Sequence, residues 1–252
     1  MALTVLRRRP SPPDGYFRAM AKGSGGAKRR AAARTPRPAR KRDAAPAAAA
    51  ETPAAPSGPF RLGAVPGATP GTWIDRWQQR RANPLELVPL TVAGQRGALE
   101  TGAVHAALVR LPIDGEGLHV IPLYEEVPVV VVAADSHLTA ADELEASDLA
   151  DEVVIVPRDD VLAMPLPDGA IAPTFDAPET TADAIATVAA GVGVVVVPMS
   201  LARLHHRRDT EYRLLRDGPR SSVALAWAAE RTTADVQAFV GIVRGRTPNS
   251  SR

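Results

Sequence analysis

Residues 59–252 read as an α/β body built on parallel strands, and three observations carry that reading. Extended, helical and extended runs succeed one another from Phe60 to Thr91, the order of a βαβ unit, whose crossover makes its two strands parallel. The apolar runs Val127–Ala134 and Val192–Pro198 are of strand length, far short of the roughly 20 residues a membrane helix needs. Charge divides the chain sharply. Residues 1–58 carry 13 Lys/Arg against three acids, which leaves 17 basic and 25 acidic residues for the remainder, so a tail near +10 precedes a body near −8.

In order along the body, Phe60–Val65 alternates and gives the first strand, and Pro66–Gly71 turns. Thr69 is the expected N-cap of a helix whose first residue is Pro70. Trp73, Ile74 and Trp77 fall at helical spacing, either as core or as a seam with a second copy, and the helix stops near Asn83-Pro84. Leu85–Thr91 resumes as a strand, Gly94–Gly102 forms a short helix and Val104–Leu111 a third strand. Leu118–Leu123 and Val127–Ala134 are extended, with Glu125-Glu126 read as a break bearing surface or hinge carboxylates. Leu149–Arg158, Gly193–Pro198 and Val223–Trp227 supply further strands, and Thr180–Gly191 and Thr233–Arg244 helices.

The tail lacks large apolar residues over 20–58, so no buried face offsets the entropy of ordering it, and disorder is expected over 1–58. Its cations Lys28, Arg29, Arg30, Arg34, Arg37, Arg40, Lys41 and Arg42 suit sequence-independent contact with nucleic-acid phosphates, with Arg37-Pro38 suited to a minor groove. A solvated, solubilising tail explains the same composition. Ala44–Pro56 reads as an extended spacer. Met20 opens a second plausible start, which an intact mass beginning at Met1 or Ala2 excludes.

Composition also sets exclusions. Without cysteine there is no disulfide, thiolate zinc site or cysteine nucleophile, which fits a reducing cytoplasm. No Gly-x-Ser-x-Gly elbow, phosphate loop or His-Glu-x-x-His occurs, so neither an enzyme nor a cofactor is expected. His205-His206 are adjacent and cannot share one helical face, which speaks against a metal site. A solvated basic helix end beside Arg207-Arg208 is the expectation.

Six segments in order give the body a family resemblance: Arg61-Leu-Gly-Ala64, Leu99–Val109, Leu123–Leu138, Leu149–Arg158, the run Thr180–Gly191 with Gly193–Pro198, and Val223–Trp227 with the helix after it. Together they resemble the effector-binding domain of LysR-type transcriptional regulators over about 190 residues. Two positions depart from the family pattern: His105 replaces the usual Asp, and Ser136-His137-Leu138 lacks the usual Pro. The winged helix-turn-helix that precedes this domain in the family has no counterpart in residues 1–58.

The resemblance implies two Rossmann-like lobes joined by two crossover strands, like a small periplasmic binding protein, with a disordered N-terminal tail. Lobe I would hold residues 60–126 and 224–247, and lobe II 127–223. A ligand cleft is then expected where strand C-terminal ends meet helix N-termini, whose free N–H groups favour an anion. Gly67, Ala68 and Thr69, Ala93, Gly94 and Gln95, Thr180 and Thr181, and Pro198 and Met199 occupy those positions. Arg96 or Arg158 would add a charge partner for an acidic ligand. Three readings stay open at this point: a small-molecule effector sensor acting in transcription, with a carboxylate as ligand and non-specific DNA contact through the tail; a stand-alone solute sensor; and a nucleoid-type basic protein. The resemblance alone implies a homodimer.

Overall fold

The computed structural model describes residues 58–245. The tail cations Lys28 to Arg42 lie outside the described residues. The first sheet takes β1 (Phe60–Ala64), β2 (Leu85–Pro89), β3 (Ala106–Arg110), β4 (Leu118–Glu126) and, from much later in the chain, β10 (Ser221–Ala228), in the order β2-β1-β3-β10-β4. The second takes β5 (Pro128–Ala133), β6 (Glu143–Leu144), β7 (Val154–Ile155), β8 (Val194–Pro198) and β9 (Thr210–Leu215), in the order β6-β9-β5-β8-β7. The chain crosses between them twice, at Val127 and again between β9 and β10. Two α/β halves joined by two crossovers are therefore the observed fold.

The βαβ unit is present, with β1 parallel to both β2 and β3, while β10 runs antiparallel between β3 and β4. Helix α1 (Gly71–Arg80) starts one residue later than expected, and Pro70 rather than Thr69 is its N-cap. The Pro70 carbonyl already accepts from Trp73 N and Ile74 N, so the turn closes without a side-chain cap and the Thr69 hydroxyl is left out of the helix. Helix α2 (Gln95–Glu100) covers the opposite face of the first sheet, and α5 (Ala234–Val243) packs beside α1. Trp77 is fully buried and lies flat on Phe60 with ring centroids 4.6 Å apart, while Phe239 of α5 closes the cluster at 5.4 Å from Phe60. Trp73 is partly buried against the same core. The Arg81–Asp235 ion pair and the Asn83 Nδ2 bond to Asp235 Oδ2 (2.9 Å) tie the end of α1 to the start of α5.

In the second sheet the valine runs are buried on both faces. Val129 and Val131 pack with Ala184, Ile185 and Val188 of α3 (Thr181–Ala189) and with Leu201 of α4 (Met199–Leu204), and Val130 and Val132 pack with Leu138, Leu144 and Leu149. Burying each such side chain contributes about 1.5–3 kcal/mol, which is why this sheet needs few other devices. Gly193, at φ +65°, joins α3 to β8 where a Cβ would come within 2.1 Å of the Val153 carbonyl, so only glycine fits.

Several elements differ from the sequence reading. Strand β4 does not break at Glu125-Glu126 but runs through them, because Glu125 and Glu126 stay in register with Ser222 and Ser221 of β10. The strand expected over Leu149–Arg158 shortens to Val154–Ile155, the part that pairs with β8. Strands β6 and β9 appear where no element was expected, and helix α4 supplies the basic helix end expected at His205-His206, with His205 as its C-cap.

Candidate functional site

A cleft of about 570 Å³ opens where the chain first crosses between the sheets. The loop after β1 contributes Gly67, Ala68 and Thr69, the crossing contributes Tyr124, Glu125, Glu126 and Val127, and α4 contributes Met199, Ser200, Arg203 and Leu204. Each reaches the cleft because a strand ends there and its chain must turn, the position at which α/β sheets present ligand contacts.

Beside the cleft lies a buried charge network. The Arg110 guanidinium, at the end of β3, donates from Nη1 to Glu126 Oε2 (2.8 Å) and Ser221 Oγ (2.7 Å), and from Nη2 to the Pro66 carbonyl (3.1 Å) and Ser200 Oγ (3.2 Å). Ser200 in turn donates to Glu126 Oε2 at 2.8 Å. The Gln95 amide holds the Arg110 backbone from both sides, donating to its carbonyl at 3.0 Å and accepting from its N–H at 2.9 Å. Arg110 Nε has no partner among the described residues. Burial, reinforced by the Glu126 carboxylate and opposed by Arg110, raises the pKa of the cleft-lining Tyr124 phenol above its ordinary value.

Of the sequence-predicted contacts, the structure brings Gly67, Ala68, Thr69 and Met199 together in this cleft. Ala93, Gly94, Gln95, Thr180, Thr181 and Pro198 are not among its lining residues. Gln95 is consumed by Arg110, and Gly94 N donates to Thr91 Oγ1 at 3.0 Å. Thr180 caps α3 by accepting from Asp183 N, and the buried Thr181 hydroxyl donates to Asp159 Oδ1 at 2.9 Å. Pro198 is buried at the end of β8 opposite Pro128. Neither expected charge partner is free, since Arg96 pairs with Glu100 and Asp114 and Arg158 with Glu179.

The cation at the cleft is instead Arg203, whose Nε reaches Tyr212 Oη at 3.5 Å and whose Nη atoms have no partner among the described residues. Glu126 is not a surface carboxylate: only 9% of its side chain is exposed. One sequence signal pointed to the network, a lone arginine ending the apolar run Ala106–Leu111, because arginine is almost never fully buried unless paired. Among the described residues no group of three or more His, Cys, Asp or Glu could hold a metal, and no helix is long and apolar enough to cross a membrane.

Two α/β halves with a cleft at their crossing define a ligand-binding fold of the periplasmic-binding-protein type. Residues 53–248 match the LysR substrate binding domain, and the chain belongs to that family. Over 165 residues it is 34% identical to the HTH-type transcriptional regulator CatR of Pseudomonas putida, covering 62% of this chain and 55% of that one. The chain thus spans about half the length of this relative. The reduced OxyR regulatory domain from Pseudomonas aeruginosa superposes with a TM-score of 0.59 at 24% identity, covering 74% of this chain and 96% of that one. The BenM effector binding domain with its effector benzoate superposes at 0.60 and 22% identity, covering 75% of this chain and 91% of that one. At these identities the superpositions establish a shared fold.

Proposed function

We propose that this chain is the effector-sensing part of a transcriptional regulator and that its cleft takes a small organic carboxylate with an apolar body. The observation that carries the reading is Arg203, a cleft-lining guanidinium with unpaired Nη donors, set among the apolar Ala68, Val127, Met199 and Leu204. An arginine fork matches a carboxylate in shape and charge, and Thr69, whose hydroxyl does not cap α1, also lines the cleft. Family membership and the CatR relative support the regulatory reading, and a BenM domain solved with benzoate supports a carboxylate effector. The same reading makes the chain a cytoplasmic non-enzyme, a homodimer, and a non-specific DNA binder through the cations Lys28 to Arg42.

Calorimetric titration with benzoate as probe tests the cleft. The full chain binds it, and Arg203→Met weakens binding about tenfold, the loss of one charge-assisted contact. Equal binding by both chains, or none by either, rejects the assignment. For the tail, anisotropy of labelled duplex DNA at two salt concentrations compares the full chain with one starting at Gly58. Binding that requires the tail and falls steeply with salt is the expected result.

A further inference from the structure

We propose that Ser200 is a conformational latch, a single hydroxyl that pins α4 and the second sheet onto the Arg110–Glu126 pair of the first. The hydroxyl works in both directions at once: it accepts from Arg110 Nη2 at 3.2 Å and donates to Glu126 Oε2 at 2.8 Å. Both charged partners belong to the first sheet and keep other contacts there. Arg110 is held through its backbone by Gln95 and through its guanidinium by Ser221 and the Pro66 carbonyl, while Glu126 keeps its bond from Arg110 Nη1. When Ser200 withdraws, the pair therefore stays assembled and loses one bridging partner. That gives a two-state element: α4 seated with the bridge made, or lifted with water in its place.

Gly67 gives independent evidence that the seated state is built for this contact. It sits at φ +82°, and a Cβ there would lie 2.3 Å from Ser200 Oγ and 3.0 Å from Arg110 Nη2. The loop after β1 thus leaves room for the serine hydroxyl and for nothing more. The Met199 N–H bond to the Val127 carbonyl, at 3.0 Å, is the backbone contact next to the latch and lies at the crossing itself.

Gly67, Glu126 and Ser200 all line the cleft, so an occupant of the cleft meets the latch directly. This last link rests on the ligand-binding reading above; the latch itself does not.

Hydrogen–deuterium exchange on the full chain without ligand tests it. Ser200→Ala is expected to speed exchange about tenfold in residues 66–72 and 199–205, the loss of one hydrogen-bonded bridge to charged groups. Exchange in the strand cores 106–109 and 129–132 is expected to stay unchanged. Gly67→Ala keeps the hydroxyl but displaces it, and is expected to speed exchange at 199–205 as well as at its own loop. Unchanged exchange at 199–205 in Ser200→Ala overturns the latch. So does acceleration that spreads equally to the strand cores, which marks general destabilisation. Because no ligand is present, failure of benzoate to bind leaves this outcome standing.

Discussion

Arg110 and Glu126 meet at 2.8 Å with only 2% and 9% of their side chains exposed. Two charges removed from water so fully are stable only as a set, and the set fails if one member is lost. Glu126→Ala leaves the guanidinium without its counter-charge and is expected to cost about 3–5 kcal/mol. The double change Arg110→Met with Glu126→Leu removes both desolvation penalties and is expected to cost clearly less than the sum of Arg110→Met and Glu126→Leu made singly. Urea midpoints of the three variants check this. Additive losses would mean that the two residues do not act as a pair.

Trp77 anchors α1 through its ring and its indole N–H, which donates to the Asn83 carbonyl at 2.9 Å. Trp77→Ala opens a large void against Phe60 and Phe239, with an expected loss of about 3–5 kcal/mol. Trp77→Phe keeps the stacking and loses the hydrogen bond and some volume, with an expected loss of about 1–2 kcal/mol. Thermal or denaturant unfolding of both variants would show whether this order holds.

His105 supplies a pH dependence whose sign follows from its surroundings. Burial holds its pKa below the ordinary histidine value, the nearby Arg61 charge lowers it further, and Asp235 partly opposes both. Its Nδ1 accepts from Arg61 N at 3.0 Å, a bond that only the form unprotonated at Nδ1 can make. Above the ordinary value, near 6.5, folded and unfolded chains are both neutral here and the full stability is present. As pH falls below that value the unfolded chain takes up the proton first, so stability is lost down to the folded-state pKa. In His105→Asn the amide oxygen still accepts from Arg61 N but does not titrate, so the slope of unfolding free energy between pH 6.5 and 5 is expected to flatten. An identical slope in the variant would assign the dependence to other groups.

Much of the fold was legible because its signals are local. The alternation after Phe60, the valine runs and the glycines around α3 and β8 each fix an element within a few residues. Strand β9 was not, because Thr210–Leu215 carries two charged residues and only its ends are buried, so its place is set by pairing with β5. Helix α4 is six residues long, too short to show a period. Four of the eleven residues that line the cleft, Gly67, Ala68, Thr69 and Met199, were named from one rule, that strand ends and helix starts collect ligands. The same rule also named Gln95 and Thr181, which do not line this cleft and bond instead to Arg110 and Asp159, 15 and 22 residues away. Arg203 escaped because nothing near it in sequence marks it as unpaired.

The placement of β10 has a consequence for how the protein is made. Among the described residues β10 is the only strand hydrogen-bonded to β4, and it fills the gap that separates β4 from β3. On the ribosome the second sheet has all its strands once Leu215 has emerged, whereas β4 waits unpartnered until Ser221–Ala228 follow. A message truncated between those points yields a product with one sheet whole and the other in two pieces. Such a product exposes β3 and β4 as open edges to proteases and chaperones.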